Sequence, residues 1–298
     1  MTVPLLLAEN EALAPLDALR ATAITDGIPE LVGLFDFQRP FAENMGLLFT
    51  QNSTYFRYAE SELRRHFRTP ETYNILLYGM ATGHNRISQL AEFSGFPQNK
   101  CDKYLKALDK AGLLETVQRK DTAGHVRTHY YPKGGYWKTW FRYVFPSQGC
   151  RLKPLEGGNL QLLANDIDHS IVAEYFKTVC WKWMKKNYGD YYWDEVLRFD
   201  DPKQQNVTVN GVHFDYVQET KDHTIYVKIW DDIGEGFPKA EFQRIEAATT
   251  AVRPFYENIY FLFSAGRACN YVEQLRNLDT VAVVNLKSLL GQKNKKLF

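Results

Sequence analysis

The chain has 298 residues, of which 45% are hydrophobic and 24% are charged. This composition is typical of a globular protein and excludes disorder along the whole chain. The length suggests two or three domains, each able to bury its own core. No segment approaches the roughly 18 consecutive apolar residues of a membrane helix, so we expect no membrane partner.

The formal net charge is +1, but the charges are unevenly distributed. Residues 97–153 contain 12 Lys and Arg against 4 Asp and Glu, a local charge of +8, and the rest of the chain carries −7. A basic block in an otherwise acidic chain suggests a polyanionic partner such as nucleic acid. A basic surface that is simply solvated is the ordinary alternative.

The four cysteines, Cys101, Cys150, Cys180 and Cys269, form no CxxC motif, and no His/Cys cluster has the spacing of a zinc site. We therefore expect reduced thiols in a cytoplasmic protein that holds no metal and no cofactor. The sequence has no basic leader of a signal peptide. It also lacks a GxxxxGK[ST] motif, so we expect no ATP hydrolysis by this chain alone.

Residues 1–69 are predicted to form a small helical module. Apolar residues from Glu11 to Ala23 recur at helical spacing. In the segment that follows, Gly27 can end one helix and Pro29 suits the first turn of the next. Another helix is predicted from Tyr55 to about Phe67.

Residues 70–150 show a different pattern, with three helices followed by two strands. Gly95 and Gly112 stand where the second and third helices should end. The order helix, short helix, helix and β-hairpin predicts a winged helix-turn-helix. The predicted elements are helices Glu71–Ala81, Ile87–Phe93 and Gln98–Ala111, and strands Leu113–Lys120 and Val126–Tyr131.

The third of these helices has one apolar and one basic face. On a helical wheel its apolar side carries Cys101, Tyr104, Leu105 and Leu108. The opposite side carries Asn99, Lys103, Lys106 and Lys110, which suits a major groove lined with phosphates.

Further basic residues lie on the hairpin, where a wing would reach DNA: Arg119, Lys120 and Arg127. We therefore predict double-stranded DNA as the partner of the helix and the hairpin. Lysines mostly position a protein on phosphates, and Asn99 is the one residue of the helix face suited to a bidentate base contact. A protein-docking role for the same fold is the alternative.

An aromatic-rich helix is predicted from Gly135 to Phe145. Its large rings, Trp137, Trp140, Phe141 and Phe145, could form a platform for base stacking. Their spacing fits one buried helix face better, so core packing is favoured.

Residues 151–298 are predicted to form a mixed α/β sandwich, in which a three-stranded meander precedes a βαβ unit. The meander would consist of Trp193–Phe199, His213–Glu219 and Thr224–Trp230, with a polar loop over Asp201–Val207. The other elements are helices Leu160–Asn187, Ala240–Val252 and Ala268–Arg276, and strands Ile259–Phe263 and Val281–Asn285.

Three motifs resemble archaeal-type P-loop ATPases of the AAA/STAND group. Thr25-Asp-Gly-Ile-Pro-Glu-Leu31 is similar to the Thr-Gly-Gly-Ile-Pro helix of their helical lid. Phe96, Pro97, Tyr104 and Leu105 match the Leu-Pro and Tyr-Leu pattern of their winged helix, with Phe in place of Leu. Trp140-Phe-Arg-Tyr-Val-Phe-Pro146 resembles their Trp-Phe-Arg-Phe-Val-Tyr-Pro motif.

The resemblance covers residues 20–290 and implies a helical lid, a winged helix and a C-terminal domain of unknown function with a restriction-endonuclease-like fold. The sequence shows no counterpart of the family's nucleotide-binding domain. An ATPase acting in trans is therefore a partner that the resemblance allows.

In active relatives of that nuclease fold, a Glu on the first helix, an Asp on the second strand and a Glu-x-Lys on the third hold a divalent metal. By position, Glu174 and Asp215 match the first two. Val227 and Ile229 stand where Glu and Lys should be, and Lys228 points to the other side of its strand.

We therefore expect an inactive nuclease-like domain in a DNA-binding protein, and a regulatory role fits this expectation. Two alternatives stay open. One is an active metal-dependent DNA nuclease that uses Glu174 and Asp215, and the other is an interaction subunit that docks on a separate ATPase.

Overall fold

The structure, a computed structural model, describes residues 2–3, 6–7, 13–50, 53–120, 124–145, 158–188, 191–192, 195–201 and 203–290. The chain divides into two units. The N-terminal unit comprises residues 20–167 with 1–2, and the C-terminal unit comprises residues 168–298 with 3–19. Helices and a five-stranded mixed sheet make this a multidomain α and α/β protein. Within the described residues, no helix has the length and apolar composition needed to cross a bilayer.

The first helices are short and separated by tight turns. Asp26 and Gly27, with φ of +52° and +66°, reverse the chain after the first helix. Pro29 then occupies the first turn of the next helix, as the sequence predicts. The helices are α1 (Pro15–Thr25), α2 (Pro29–Val32), α3 (Phe41–Leu48) and α4 (Thr54–His66).

Three helices and a hairpin follow in the predicted order. The helices are α5 (Glu71–Ala81), α6 (Ile87–Ser94) and α7 (Gln98–Lys110), and the antiparallel hairpin consists of β1 (Leu114–Lys120) and β2 (Val126–Pro132). Gly95 and Gly112 have φ of +71° and +73°, the left-handed conformation that commonly ends a helix. The predicted boundaries therefore agree with the structure to within a few residues.

Asn85, between α5 and α6, binds the free edge of β2. Its carbonyl accepts the N–H of Tyr130 at 2.8 Å, and its side-chain amide donates to the Tyr130 carbonyl at 2.9 Å. The same amide also donates to the carbonyl of Met80 at 3.1 Å. Asn85 thus satisfies both backbone groups of Tyr130 on the outer edge of β2 and ties the hairpin to the end of α5.

The predicted aromatic helix is present as α8 (Gly134–Thr139), followed by a π-helical turn over Trp140–Val144. Trp140 and Phe141 are buried, and the Trp140 indole donates to the carbonyl of Phe56 at 3.2 Å. These contacts support the core-packing interpretation of this helix. The last helix of the unit, α9 (Gly158–Ile167), packs against α3.

The larger segment of the C-terminal unit, residues 168–298, begins with a π-helical turn over Asp168–Val172 and continues as α10 (Ala173–Tyr188). The single long helix predicted over residues 160–187 therefore contains a π-helical turn. A π-helical turn accommodates one extra residue, and no periodic pattern in the sequence marks it.

The five-stranded sheet of this unit has the order β5-β6-β7-β8-β9. The first three strands are antiparallel, and β7, β8 and β9 are parallel. The strands are β5 (Gln205–Val209), β6 (Val212–Glu219), β7 (Thr224–Ile229), β8 (Asn258–Ser264) and β9 (Val281–Asn285). The helices between and after them are α11 (Lys239–Thr250), α12 (Asn270–Gln274) and α13 (Leu286–Leu289).

The first strand of the meander is not the predicted one. Of the predicted strand 193–199, the described residues form only β4 (Glu195–Val196), which pairs with β3 (Tyr191–Tyr192). The strand that joins the sheet is β5, which overlaps the segment predicted as a polar loop. Asn210 and Gly211, with φ of +45° and +79°, form the tight turn that joins β5 to β6.

Both faces of this sheet carry packed apolar side chains. On one face Phe214, Tyr226 and Tyr260 pack with Phe242 of α11. The opposite face carries Phe263, whose ring lies 5.8 Å from that of Trp183 on α10. The sheet therefore lies between α10 and α11.

Candidate nucleic-acid interface

Helix α7 places its polar residues on one exposed face. Asn99, Lys103, Lys106 and Lys110 are all exposed, and we call them the helix surface. Cys101, Leu105 and Leu108 on the opposite side are buried. The separation of the two faces follows from the 3.6-residue period of the helix.

Lys106 is held by a neighbouring carboxylate. Its ammonium donates to Asp102, one turn earlier, at 2.6 Å, and this hydrogen bond raises the pKa of Lys106. The pair is exposed, so solvent screens it and it can open when another anion approaches. Among the described residues, Lys103 and Lys110 have no ion-pair partner, which leaves their charges available to a polyanion.

One face of the hairpin lies beside the helix surface. Burial raises the pKa of Tyr130, the charge of Asp102 raises it further, and the charge of Lys106 lowers it, so all three groups are close together. Strand alternation puts Gln118 and Thr128 on the same side as Tyr130, where their side chains are hydrogen-bonded at 3.1 Å. We call this side the inner hairpin face.

The two hairpin arginines lie on the other side. Arg119 and Arg127 stand directly opposite each other in the register, and both are exposed. His129, two residues along β2, shares their side, which we call the outer hairpin face. Burial lowers the pKa of His129, and the positive charges of Arg119 and Arg86 lower it further.

The predicted DNA-binding residues thus form two groups: one on α7 and one on the outer hairpin face. Lys120 pairs with Val126 in the backbone register, and its side chain lies outside the described part of the structure. Arg86 and His129 were missed by sequence reasoning. Arg86 precedes α6 and lies outside the basic block, so no local charge pattern marks it.

In the C-terminal unit, Asp215 is a buried carboxylate with two structural partners. One oxygen lies 3.0 Å from the Lys177 ammonium on α10, and the other accepts the Ile229 N–H at 2.7 Å. Burial, and next the charge of Asp215, raise the pKa of the neighbouring Cys180 thiol, while Lys177 opposes this. The Cys180 thiol is therefore neutral near pH 7.

The other three positions that correspond to metal-site residues of the nuclease fold do not form a metal site with Asp215. Val227 and Ile229 are buried apolar side chains, whereas Glu174 is exposed. The Lys228 ammonium donates to the His213 carbonyl at 2.8 Å and lies 3.5 Å from Glu241 of α11. Over the described residues, no cluster of three His, Cys, Asp or Glu side chains could hold a metal ion.

The comparisons with known proteins find a relative of low sequence identity. No protein-family model matches the chain, and no solved structure matches it. An uncharacterized protein of Methanocaldococcus jannaschii is 26% identical over 124 residues, which is 41% of this chain. The match spans 28% of that relative's length, so the two proteins correspond over a part of each.

Proposed function

We propose that this protein binds double-stranded DNA through a winged helix-turn-helix formed by α5, α6, α7 and the β1–β2 hairpin. The observation that carries the proposal is the helix surface. It exposes Asn99, Lys103, Lys106 and Lys110 on one side of a helix whose other side is buried. Such a helix can enter a major groove without exposing its core residues.

The arrangement of the neighbouring elements supports this fold. Two helices that end in left-handed glycines precede a hairpin, and Asn85 bonds both backbone groups of Tyr130 at the edge of that hairpin. The hairpin therefore has a fixed base beside α7, as a wing requires. Its tip carries Arg119 and Arg127, which can reach a phosphodiester backbone.

In this proposal the lysines of the helix surface bind phosphates, and its asparagine contacts a base. Lys103 and Lys110 neutralise phosphates, and Lys106 does so once it leaves Asp102. Asn99, in the first turn of α7, is the residue suited to a bidentate contact with adenine. Most of the affinity is then electrostatic and falls as salt rises.

The C-terminal unit is proposed to be a restriction-endonuclease-like domain without a working active site. The involvement of Asp215 with Lys177 and the Ile229 N–H supports this, because a metal would have to displace both partners. With the helical module over residues 1–69, the winged helix over 70–150 and this domain over 151–298, the order follows the C-terminal part of the ATPases described above. An ATPase in trans stays part of this proposal.

The proposal is tested by fluorescence anisotropy with labelled random-sequence duplex DNA over a salt series. Lys103→Glu/Lys110→Glu changes the helix surface without breaking the Lys106–Asp102 pair. Arg57→Glu/Arg64→Glu, on exposed positions of α4 in the same unit, is the control with an equal change of charge.

We expect the wild type and the α4 control to bind with similar affinity, and the helix-surface variant to bind at least about tenfold more weakly, with a salt slope reduced by about two. Equal losses in both variants would mean that only net charge matters. A wild-type protein that binds no duplex at low salt would overturn the proposal and leave protein docking as the role of this fold.

A further inference from the structure

We propose that Lys100 is a further phosphate-binding residue of the DNA interface, and that the ring of Phe96 holds its ammonium in position. The inference rests on the proposed function, because it extends the same interface to a residue outside the helix surface. Phe96 is then a positioning residue, since it acts through Lys100. The ligand is the phosphodiester backbone, which carries no sequence information of its own.

The ammonium of Lys100 lies against two aromatic rings. It is 3.9 Å from the centre of the Phe96 ring and 5.8 Å from that of Tyr104. Both distances are within the roughly 6 Å over which a cation and a ring attract each other. Lys100 is exposed, and no carboxylate pairs with it in the part of the chain that the structure describes. Its charge is therefore held in place without being neutralised.

The Phe96 ring is itself fixed by the backbone that carries it. The Phe96 N–H donates to the Ser94 hydroxyl at 3.3 Å, and the Phe96 carbonyl accepts the Cys101 thiol at 3.9 Å. Pro97 also restricts the backbone of the residue before it. A long side chain that is already ordered loses less entropy when it binds a ligand. Lys100 is therefore better prepared to hold a phosphate than a freely rotating lysine.

The second ring belongs to a row of aromatic side chains that joins α7 to α5. Tyr104 packs edge-to-face on Tyr73 of α5, with ring centres 4.9 Å apart. Tyr73 in turn stacks on Phe67, which is buried, at 3.7 Å. The row supports the Lys100 side of α7 on the first helix of the proposed winged helix-turn-helix.

Lys100 lies on a flank of α7, between the helix surface and the buried side. At 100° per residue it is roughly 90° around the axis from the middle of the helix surface. When the helix surface faces the floor of a major groove, a residue at this angle faces one of the two sugar-phosphate walls. Lys100 is therefore placed for a phosphate that the helix surface does not reach.

The stability of the helix does not explain a lysine at this position. Lys100 is in the first turn of α7, where the helix dipole opposes a positive charge. In the winged-helix pattern that this chain resembles, position 96 is Leu, which has no ring face for a cation. Phe96 thus supports a charge that the helix disfavours, and an anionic partner gives both residues a role.

Fluorescence anisotropy with the random-sequence duplex over a salt series tests the inference. Lys100→Gln removes the charge, Phe96→Leu removes the ring but keeps the charge, and Phe96→Tyr keeps both. Arg57→Gln, at an exposed position of α4, is the control with the same loss of charge as Lys100→Gln. Circular dichroism checks that each variant is folded at the temperature of the measurement.

We expect Lys100→Gln to bind about three- to tenfold more weakly than the Arg57→Gln control, with a salt slope reduced by about one. Phe96→Leu should bind more weakly than the wild type with the same salt slope, and Phe96→Tyr should recover most of that loss. In Phe96→Leu/Lys100→Gln the leucine should cost nothing further, because the ring acts through Lys100.

The outcomes separate this inference from the proposed function. If Lys100→Gln binds like the control while Lys103→Glu/Lys110→Glu binds weakly, the inference fails and the proposed function stands. If the loss in Phe96→Leu persists in the Lys100→Gln background, the ring does not act through Lys100 and the positioning role is overturned. A wild-type protein that binds no duplex overturns both.

Discussion

Asp26 and Gly135, 109 residues apart in the sequence, are joined by a hydrogen bond of 2.7 Å from the Gly135 N–H to the Asp26 carboxylate. The other carboxylate oxygen accepts the N–H of Tyr136 at 3.2 Å. Asp26 therefore caps the start of α8 from the turn between α1 and α2. This contact gives the Thr25–Leu31 motif a structural role within the N-terminal unit.

The cap predicts different results for two substitutions at position 26. Asp26→Ala removes both acceptors and places Ala at φ +52°, so we expect a loss of about 2 kcal/mol in the free energy of unfolding. Asp26→Asn keeps one acceptor and tolerates this conformation. Desolvation of the carboxylate raises the pKa of Asp26, against the effect of the two N–H donors.

Urea unfolding of the two variants checks this prediction, and we expect Asp26→Asn to lose less than about 1 kcal/mol. Equal losses would show that the capping bonds contribute nothing. Gly134→Ala supplies a second check, because its Cβ would lie 2.3 Å from the Asp26 carboxylate. The cost of Gly134→Ala should fall in an Asp26→Ala background, and simple additivity would contradict a direct contact.

His129 predicts a pH dependence of stability. Its pKa in the folded protein lies below the ordinary value of 6.5, chiefly through burial and then through Arg119 and Arg86. Between these two pKa values the unfolded chain binds more protons than the folded one, so stability rises with pH through this window and falls as acid is added. His129→Gln should remove this part of the dependence.

Unfolding at about pH 5.5 and about pH 7.5 measures this effect. Relative to His129→Gln, the wild type should lose stability at the lower pH. The same difference at both pH values would show that His129 does not experience the charges of Arg119 and Arg86.

From the Asp215–Lys177 ion pair we predict that Asp215 contributes to the stability of the fold and not to DNA cleavage. Lys177→Met leaves a buried carboxylate with only the Ile229 N–H, so we expect a loss of about 1–3 kcal/mol, moderated because the Lys177 side chain is 36% exposed. Adding Asp215→Asn should recover most of the loss, because the amide oxygen still accepts that N–H.

Urea unfolding gives these values, and plasmid cleavage with Mg²⁺ gives the activity. We expect no cleavage by the wild type. Cleavage that requires Mg²⁺ and disappears in Asp215→Asn would establish the enzyme alternative and contradict the structural role.

A substitution at Trp140 distinguishes the two interpretations of the aromatic helix, core packing and base stacking. Trp140→Phe keeps an aromatic ring but loses the indole bond to the Phe56 carbonyl and part of the packing, so we expect a loss of about 1–3 kcal/mol. The DNA affinity of the folded variant should stay within about twofold of the wild type. Anisotropy under conditions where both proteins are folded checks this, and a large loss of affinity would favour stacking.

The sequence was most informative where glycine and proline mark the ends of elements. Gly95 and Gly112 located the ends of α6 and α7, because the left-handed conformation has a strong residue preference. The Asn210-Gly211 pair is an equally strong hairpin signal, and it marks the turn between β5 and β6. The polar composition of Gln205–Val209 then led to a loop prediction for β5.

Other features had no local signal. The hydrogen bonds of Asp26 and the ion pair of Asp215 join residues far apart in sequence, and periodicity describes only neighbours. The helical wheel predicted which side of α7 is exposed, but it could not show that Lys106 is paired or that the charge of Arg86 lowers the pKa of His129. Candidate binding residues were therefore easier to predict than the way they are grouped.

The attachment of the hairpin through Asn85 has a mechanical consequence. The hairpin is fixed at its base, because Asn85 bonds both Tyr130 of β2 and Met80 of α5. Deuterium should therefore exchange more slowly at the Tyr130 amide, which donates to the Asn85 carbonyl, than at the Thr128 amide on the same edge of β2. A partner that pushes on the hairpin would therefore also shift residue 85 and the first turn of α6, which follows it in the chain.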